Sequence, residues 1–161
     1  MTKEEIELLT KVLCEQLPYG VIVNASHKDG DGWKNNDRKL LGVYQHDGQV
    51  YLDGVYTSID NVKPYLRPLS SITEEEARAL FRVIYPDCHV TKVIIKEDRI
   101  RYIAVDNERS ISGRLTIFFD NPNICNLAQL DWFLANHFDV RGLIPKGLAI
   151  AAVGEDNPYE E

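Results

Sequence analysis

Residues 64–81 read PYLRPLSSITEEEARALF, and their interpretation divides the chain. Pro64 and Pro68 each fix a backbone φ and remove an amide donor, so residues 64–69 read as a stiff connector. Thr73 followed three positions later by Glu76 is a capping box, and Ile72 and Ala77 stand where a hydrophobic staple would. The spacing predicts a helix that starts at this cap. Ala77, Leu80, Phe81 and Ile84 face a core, and Pro86 stops the helix.

Upstream, Thr2 and Glu5 repeat the capping box ahead of Ile6, Leu9, Leu13 and Leu17. That stripe predicts a helix over about 3–16, ended by Pro18 and Gly20, with Cys14 beside its apolar face. Residues 19–66 read as a small β unit. Val21–Val23 is a short strand, and the polar stretch SHKDGDGWKNNDR (26–38) reads as a loop. Leu40–Tyr44 is a second strand, and Asp47-Gly48 matches a type I′ turn. Val50, Leu52, Val55 and Tyr56 continue as strand with Gly54 as a bulge. Ile59, Val62, Tyr65 and Leu66 close the unit. Short strands around a long first loop suggest a small SH3-like barrel or a curled sheet.

Downstream of the second helix, Val90–Lys96 and Arg99–Val105 alternate around a Glu97-Asp98 hairpin turn, and Arg114–Phe119 is a third strand. Asn126 with Gln129 caps a helix reaching about Asn136, with Leu127, Leu130, Phe133 and Leu134 on its apolar face. Leu148–Val153 reads as a last strand, and the tail 154–161 as frayed. The expected fold is α+β: an N-terminal helix, a small SH3-like β unit, then an antiparallel sheet with two further helices. The expected division is 1–69 and 70–161, with one continuous domain as the alternative.

The chain has 161 residues, 44% hydrophobic and 27% charged, which excludes disorder, collagen-like repeats and a coiled-coil rod. Eighteen Lys and Arg against 25 Asp and Glu leave a net charge of −7, which disfavours a general electrostatic grip on nucleic acid. The N-terminus lacks an apolar segment with a cleavage site, and apolar runs such as Leu148–Val153 fall far short of the about 20 residues needed to cross a membrane. A soluble cytoplasmic protein is expected. Cys14, Cys88 and Cys125 are odd in number and widely spaced, so reduced, mostly buried thiols are expected rather than disulfides or zinc ligands. No phosphate-loop, dinucleotide, zinc-protease or nucleophile-elbow motif occurs, so no cofactor or metal is expected.

Three blocks carry a resemblance. They are Leu13-Cys14-Glu15-Gln16-Leu17-Pro18-Tyr19-Gly20-Val21, Lys63-Pro64-Tyr65-Leu66-Arg67-Pro68-Leu69-Ser70-Ser71 running into Thr73–Glu76, and Asp131-Trp132 with His137–Ile144 and Lys146–Ala149. Together they resemble small proteins carried on prophages and mobile elements of gut Bacteroidales. Residues 26–38 and 86–125 lie between the blocks and match nothing there. The resemblance implies a cytoplasmic mobile-element protein, and it carries no activity to transfer.

The candidate sites follow from residue chemistry. His137, Asp139 and Arg141 alternate after the third helix, near Asp131, and a His with a carboxylate is the minimum for acid–base work. The structural alternative is a helix-capping His137 and a local Asp139–Arg141 ion pair, favoured because no nucleophile or phosphate loop accompanies them. Cys88-His89 are adjacent in an extended stretch and point apart, which disfavours mutual activation. Asp29-Gly30-Asp31-Gly32 mimics the start of a calcium loop, but Trp33 and Lys34 stand where a further ligand and a glycine belong. Trp33, Tyr44, Tyr51 and Tyr56 on the β unit are candidate contacts for a peptide or a base, or core fillers. Residues 90–118 carry six basic and four acidic groups, and 119–161 two basic and seven acidic. Arg99 and Arg101 therefore mark the place for an anionic partner, and a solvated strand face is the alternative.

The leading expectation is a non-enzymatic module that binds a protein, with loop 26–38 and the acidic 119–161 surface as contacts. The alternatives are nucleic-acid binding through the β unit and strands 90–118, and a small enzyme using His137, Asp139 and Arg141.

Overall fold

A computed structural model of the chain describes residues 1–29, 32–44, 48–106, 111–124 and 126–159, with backbone only at 27–29, 32–33, 104–106 and 111–114. The chain opens with helix α1 (Lys3–Gln16). Its capping box forms as expected: the Thr2 hydroxyl accepts from the Glu5 amide at 3.2 Å, and the Glu5 carboxylate accepts from the Thr2 amide at 2.7 Å. Leu9, Val12 and Leu13 supply its buried face.

Strands β1 (Ile22–Asp29) and β2 (Gly32–Tyr44) then pair antiparallel, from Ile22 opposite Lys39 to Asp29 opposite Gly32. The stretch 26–38 is therefore not a loop but most of a long hairpin. Its side chains obscured this. Asn24 Nδ2 donates to Asp37 Oδ1 at 2.8 Å, and Ser26 Oγ donates to Asn35 Oδ1 at 2.6 Å. Polar–apolar alternation reports a buried face, whereas the ladder itself needs only backbone groups. The tip of the Asp29–Gly32 motif, residues 30 and 31, lies outside the described residues.

Strands β3 (Gln49–Leu52) and β4 (Val55–Ser58) complete a meander with β2. Gly54 sits in the turn between them at φ +77°, so it is a turn residue and not a bulge. The bulge lies in β2, where the register slips between Leu40 and Gly42. A 3-10 turn (Ile59–Asn61) leads into β5 (Val62–Leu66), which pairs antiparallel with β1. Pro64 is thus part of a strand, opposite Val23.

The next stretch folds as a separate unit, residues 68–140. Helix α2 (Glu74–Ile84) carries the Thr73–Glu76 capping box and buries Ala77, Leu80 and Phe81. Strands β6 (His89–Lys96), β7 (Arg99–Asp106) and β8 (Ile111–Phe118) form an antiparallel sheet in that order. Helix α3 (Leu127–Ala135) begins at Asn126, whose side chain accepts from the Gln129 amide at 2.8 Å. Gln129 turns instead to the Asn123 carbonyl at 3.2 Å. One core joins Leu80 and Phe81 of α2, Val93, Ile100, Tyr102 and Ile117 of the sheet, and Phe133 of α3.

Residues 141–161 return to the first unit, residues 1–67. Leu143, Leu148 and Ala149 enter its core with Leu9, Leu13, Val21, Val23, Leu40, Val50 and Leu52. Strand β9 (Ile150–Ala151) pairs parallel with β5 through Tyr65 and Leu66, giving the order β4-β3-β2-β1-β5-β9. The expected strand over 148–153 shortens to these two residues. Pairing with a strand so far upstream leaves no local pattern, so 141–161 read from sequence as part of the second lobe. The tail is held rather than frayed as far as Tyr159. Its hydroxyl accepts from the Ile22 amide at 3.1 Å and donates to the Tyr65 carbonyl at 2.9 Å. Both units mix helices with sheet, so the fold is α+β. Among the described residues no helix is long and apolar enough to cross a membrane.

Candidate functional site

The β2–β3–β4 meander has two faces. Leu40, Val50 and Leu52 point into the core. On the other face Gly42 stands opposite Tyr51, and Tyr51 opposite Tyr56. Two residues on from Gly42, Tyr44 lies on the same side. The three tyrosines form one cluster, with ring centroids 4.6 Å apart for Tyr51–Tyr56 and 5.8 Å for Tyr44–Tyr56. Tyr44 is 47% exposed and Tyr56 57%. The Tyr44 ring and the Tyr51 side chain flank Gly42 at ordinary van der Waals distance. A Cβ there would lie 3.5 Å from the Tyr44 ring and 3.7 Å from the Tyr51 Cβ. The Tyr44 hydroxyl beside Tyr56 raises the Tyr56 phenol above its ordinary value, so Tyr56 is neutral at physiological pH.

Strand alternation gives the second unit's sheet a contrasting outer face. Val93, Ile100, Tyr102 and Ile117 are buried on the inner one. On the outer one, register places Lys96, Arg99 and Phe118 in one row and Ile94, Arg101 and Thr116 in the next. Lys92, Ile103 and position 114 follow. No Asp or Glu occupies any position of β6 or β8, and β7 has only its terminal Asp106. Phe118 is 44% exposed. The Arg99 guanidinium lies 5.0 Å from the Phe118 ring centroid. Arg99 Nε also donates to Asp98 at 2.9 Å, and this arginine lowers the Asp98 carboxyl below its usual range.

His137 and Asp139 belong to the second unit and Arg141 to the first. Arg141 is engaged within the first unit. It donates to Glu15 of α1, from Nε at 3.2 Å and from Nη2 at 2.8 Å. His137 ends α3 in the left-handed region, at φ +57°. Its amide donates to the Leu134 carbonyl and the Phe138 amide to the Phe133 carbonyl, at 3.0 and 2.9 Å. That is a Schellman cap with histidine where glycine is usual. Asp139 is buried and Asp131 is exposed.

Cys88 is half-buried against the second core and His89 is exposed at the start of β6. Trp33 stands opposite Lys28 near the hairpin tip, and its side chain lies outside the described residues. A shallow recess of about 500 Å³ runs along α1, lined by Ile6, Glu7, Thr10, Lys11, Cys14 and Glu15. All six come from one helix, so no second element brings a group to bear on it. Among the described residues no three His, Cys, Asp or Glu side chains gather as a metal site.

The structure thus joins Tyr44 to Tyr56, with Tyr51 between strands as the third member, and joins Arg99 to Arg101. Gly42 and Phe118 went unremarked in the sequence. Period-2 counting along each strand would have placed Phe118 with the arginines once the β7–β8 register was known. No family model matches the chain, and no curated protein or solved structure matches it.

Proposed function

We propose that the first unit is a non-enzymatic interaction module that grips an extended segment of a partner protein on Tyr44, Tyr51 and Tyr56. The observation that carries this is the cluster itself: three contiguous tyrosines on a solvent-facing sheet, two of them about half exposed. Cross-strand pairing alone accounts for Tyr51 against Tyr56. It gives no reason for Tyr44 to join them over a glycine. Tyrosine brings a large apolar ring, a hydroxyl for directional bonding and only two side-chain torsions to immobilise, which suits it to protein contacts.

The strand order supports an SH3-like reading of this unit. Four strands run as hairpins, a 3-10 turn precedes β5, and β5 returns to β1. Aromatic surfaces on such barrels take extended peptides. The resemblance to mobile-element proteins fits a small cytoplasmic module that works by contact. The enzymatic alternative loses support because Arg141 is engaged by Glu15 and His137 serves as a helix cap.

The test is selection of a random 12-residue peptide library on the whole protein, followed by titration of enriched peptides. The expected result is a consensus whose affinity falls at least tenfold in Tyr44→Ala/Tyr56→Ala, with unchanged thermal stability. Absence of a consensus, or equal binding by the double variant, overturns the proposal.

A further inference from the structure

The outer face of β6–β7–β8 is unusual in a chain of net charge −7. The second unit itself carries more acidic than basic residues, eleven against eight. Most of its carboxylates sit elsewhere: on the first turn of α2 (Glu74, Glu75, Glu76), in the β6–β7 turn (Glu97, and Asp98, which pairs with Arg99), and beyond the sheet (Asp120, Asp131, Asp139). The described side chains at strand positions facing out are His89, Lys92, Ile94, Lys96, Arg99, Arg101, Ile103, Thr116 and Phe118, with Thr91 exposed at the β6 bulge. Solubility asks only for interspersed charges of either sign. It does not ask that one sign be excluded from a whole face, nor that isoleucines and an exposed phenylalanine be set among the cations.

We propose that this face binds single-stranded nucleic acid, the lysines and arginines meeting phosphates while the Arg99–Phe118 stack and the isoleucines receive bases. Charge complementarity selects a polyanion. The apolar and aromatic element selects one with exposed flat faces. An acidic peptide would leave Phe118 and the isoleucines without purpose, and a duplex hides its bases. Rows along a strand repeat about every 6.8 Å and neighbouring strands lie about 4.8 Å apart, so the cations form a two-dimensional array and not a single ridge. A planar guanidinium already held over an aromatic ring offers a second plane on which a base can stack, tolerant of sequence. The weak overall field of an acidic chain makes such binding short-ranged and confined to this face. This inference is independent of the tyrosine cluster, which belongs to the other unit.

The experiment is fluorescence anisotropy of the whole protein with labelled 15-nucleotide single-stranded RNA and DNA of mixed sequence. A duplex of the same sequence, a polyglutamate peptide and vesicles containing anionic lipid serve as competitors. Binding to single strands is expected, weakening with salt at a slope of about −3 in log–log form if four cations meet phosphates. Lys92→Glu/Arg101→Glu should weaken it more than tenfold while the melting temperature stays unchanged. The neutral pair Lys92→Gln/Arg101→Gln should fall between. Phe118→Ala should weaken binding about tenfold without changing the salt slope, because it removes stacking and not charge. No single-strand binding at low salt overturns the proposal. So does binding indifferent to the charge-reversed variant, or displacement by polyglutamate or vesicles at equal charge concentration.

Discussion

Arg141 holds Glu15 through two hydrogen bonds, 3.2 Å from Nε and 2.8 Å from Nη2, across 126 residues of chain. The fork geometry matches a carboxylate and fastens the returning C-terminal segment to α1. An arginine so engaged is not poised as an anion clamp for a His–Asp pair. Both side chains are only partly exposed, so screening weakens the pair but does not abolish it. Arg141→Ala is expected to destabilise the first unit by about 1 kcal/mol, and Arg141→Lys to recover less than half, since an ammonium cannot reproduce the fork. Denaturant melts at low and high salt check this. Equal stability of all three proteins would mean that the ion pair contributes nothing.

His137 completes the α3 cap at φ +57°, a conformation that costs an L-residue about 1–2 kcal/mol. Phe138 packs edge-on against Phe133 at 6.0 Å, the hydrophobic contact that accompanies this cap. His137→Gly should therefore stabilise the second unit by about 0.5–1 kcal/mol, the relief being offset in part by the greater freedom of unfolded glycine. His137→Val should cost more than His137→Ala, because a branched Cβ crowds the left-handed region further. Thermal melts of the three variants decide it. A loss of stability on His137→Gly would mean that the imidazole supplies more than the backbone strain removes.

The parts of the fold legible in the sequence are those with local causes. Both Thr–Glu capping boxes, the Asn126 cap and the alternation of β6 and β7 all act within a few residues. The parts that were not legible depend on distant partners. Ser26 and Asn35 carry no burial signal, yet they face each other across a ladder. Ile150 finds Tyr65, and Tyr159 finds Ile22, only after the chain has built a whole second unit. The candidate surfaces divide the same way. Arg99 and Arg101 on one strand declare a shared face by their spacing, whereas Tyr44 and Tyr56 meet only because β3 lies between their strands.

Tyr102 buries its hydroxyl in the second core with no hydrogen-bond partner among the described residues, and its ring centroid lies 5.1 Å from that of Phe81. Burial pushes its phenol far up, so it stays neutral throughout the accessible range. A buried polar group left unpaired costs about 1–3 kcal/mol. Tyr102→Phe removes that group and keeps the ring, so it should stabilise the protein by up to about 1 kcal/mol. Tyr102→Leu should destabilise it by opening a cavity. Urea melts on the two variants test the pair of expectations. Destabilisation by Tyr102→Phe would mean that the hydroxyl is satisfied in solution.

Tyr159 closes the first unit with one hydroxyl that accepts from Ile22 and donates to Tyr65. Burial pushes its phenol up from 10.0 to about 12, because ionisation would place a charge in a dry site and abolish the bond to the carbonyl. The folded state thus holds this proton more tightly than the unfolded state does. The associated stability is fully present below pH 10 and is lost as pH rises through about 12. Tyr159→Phe should cost about 1–2 kcal/mol at neutral pH through the two lost bonds. Its deficit relative to the natural chain should shrink between pH 10 and 12, where the tyrosine gives up its own advantage. Hydrogen exchange at the Ile22 amide supplies a local readout, with faster exchange expected in the variant. An Ile22 amide equally protected in both proteins, or a stability gap constant across the alkaline range, would show that Tyr159 does not hold the tail.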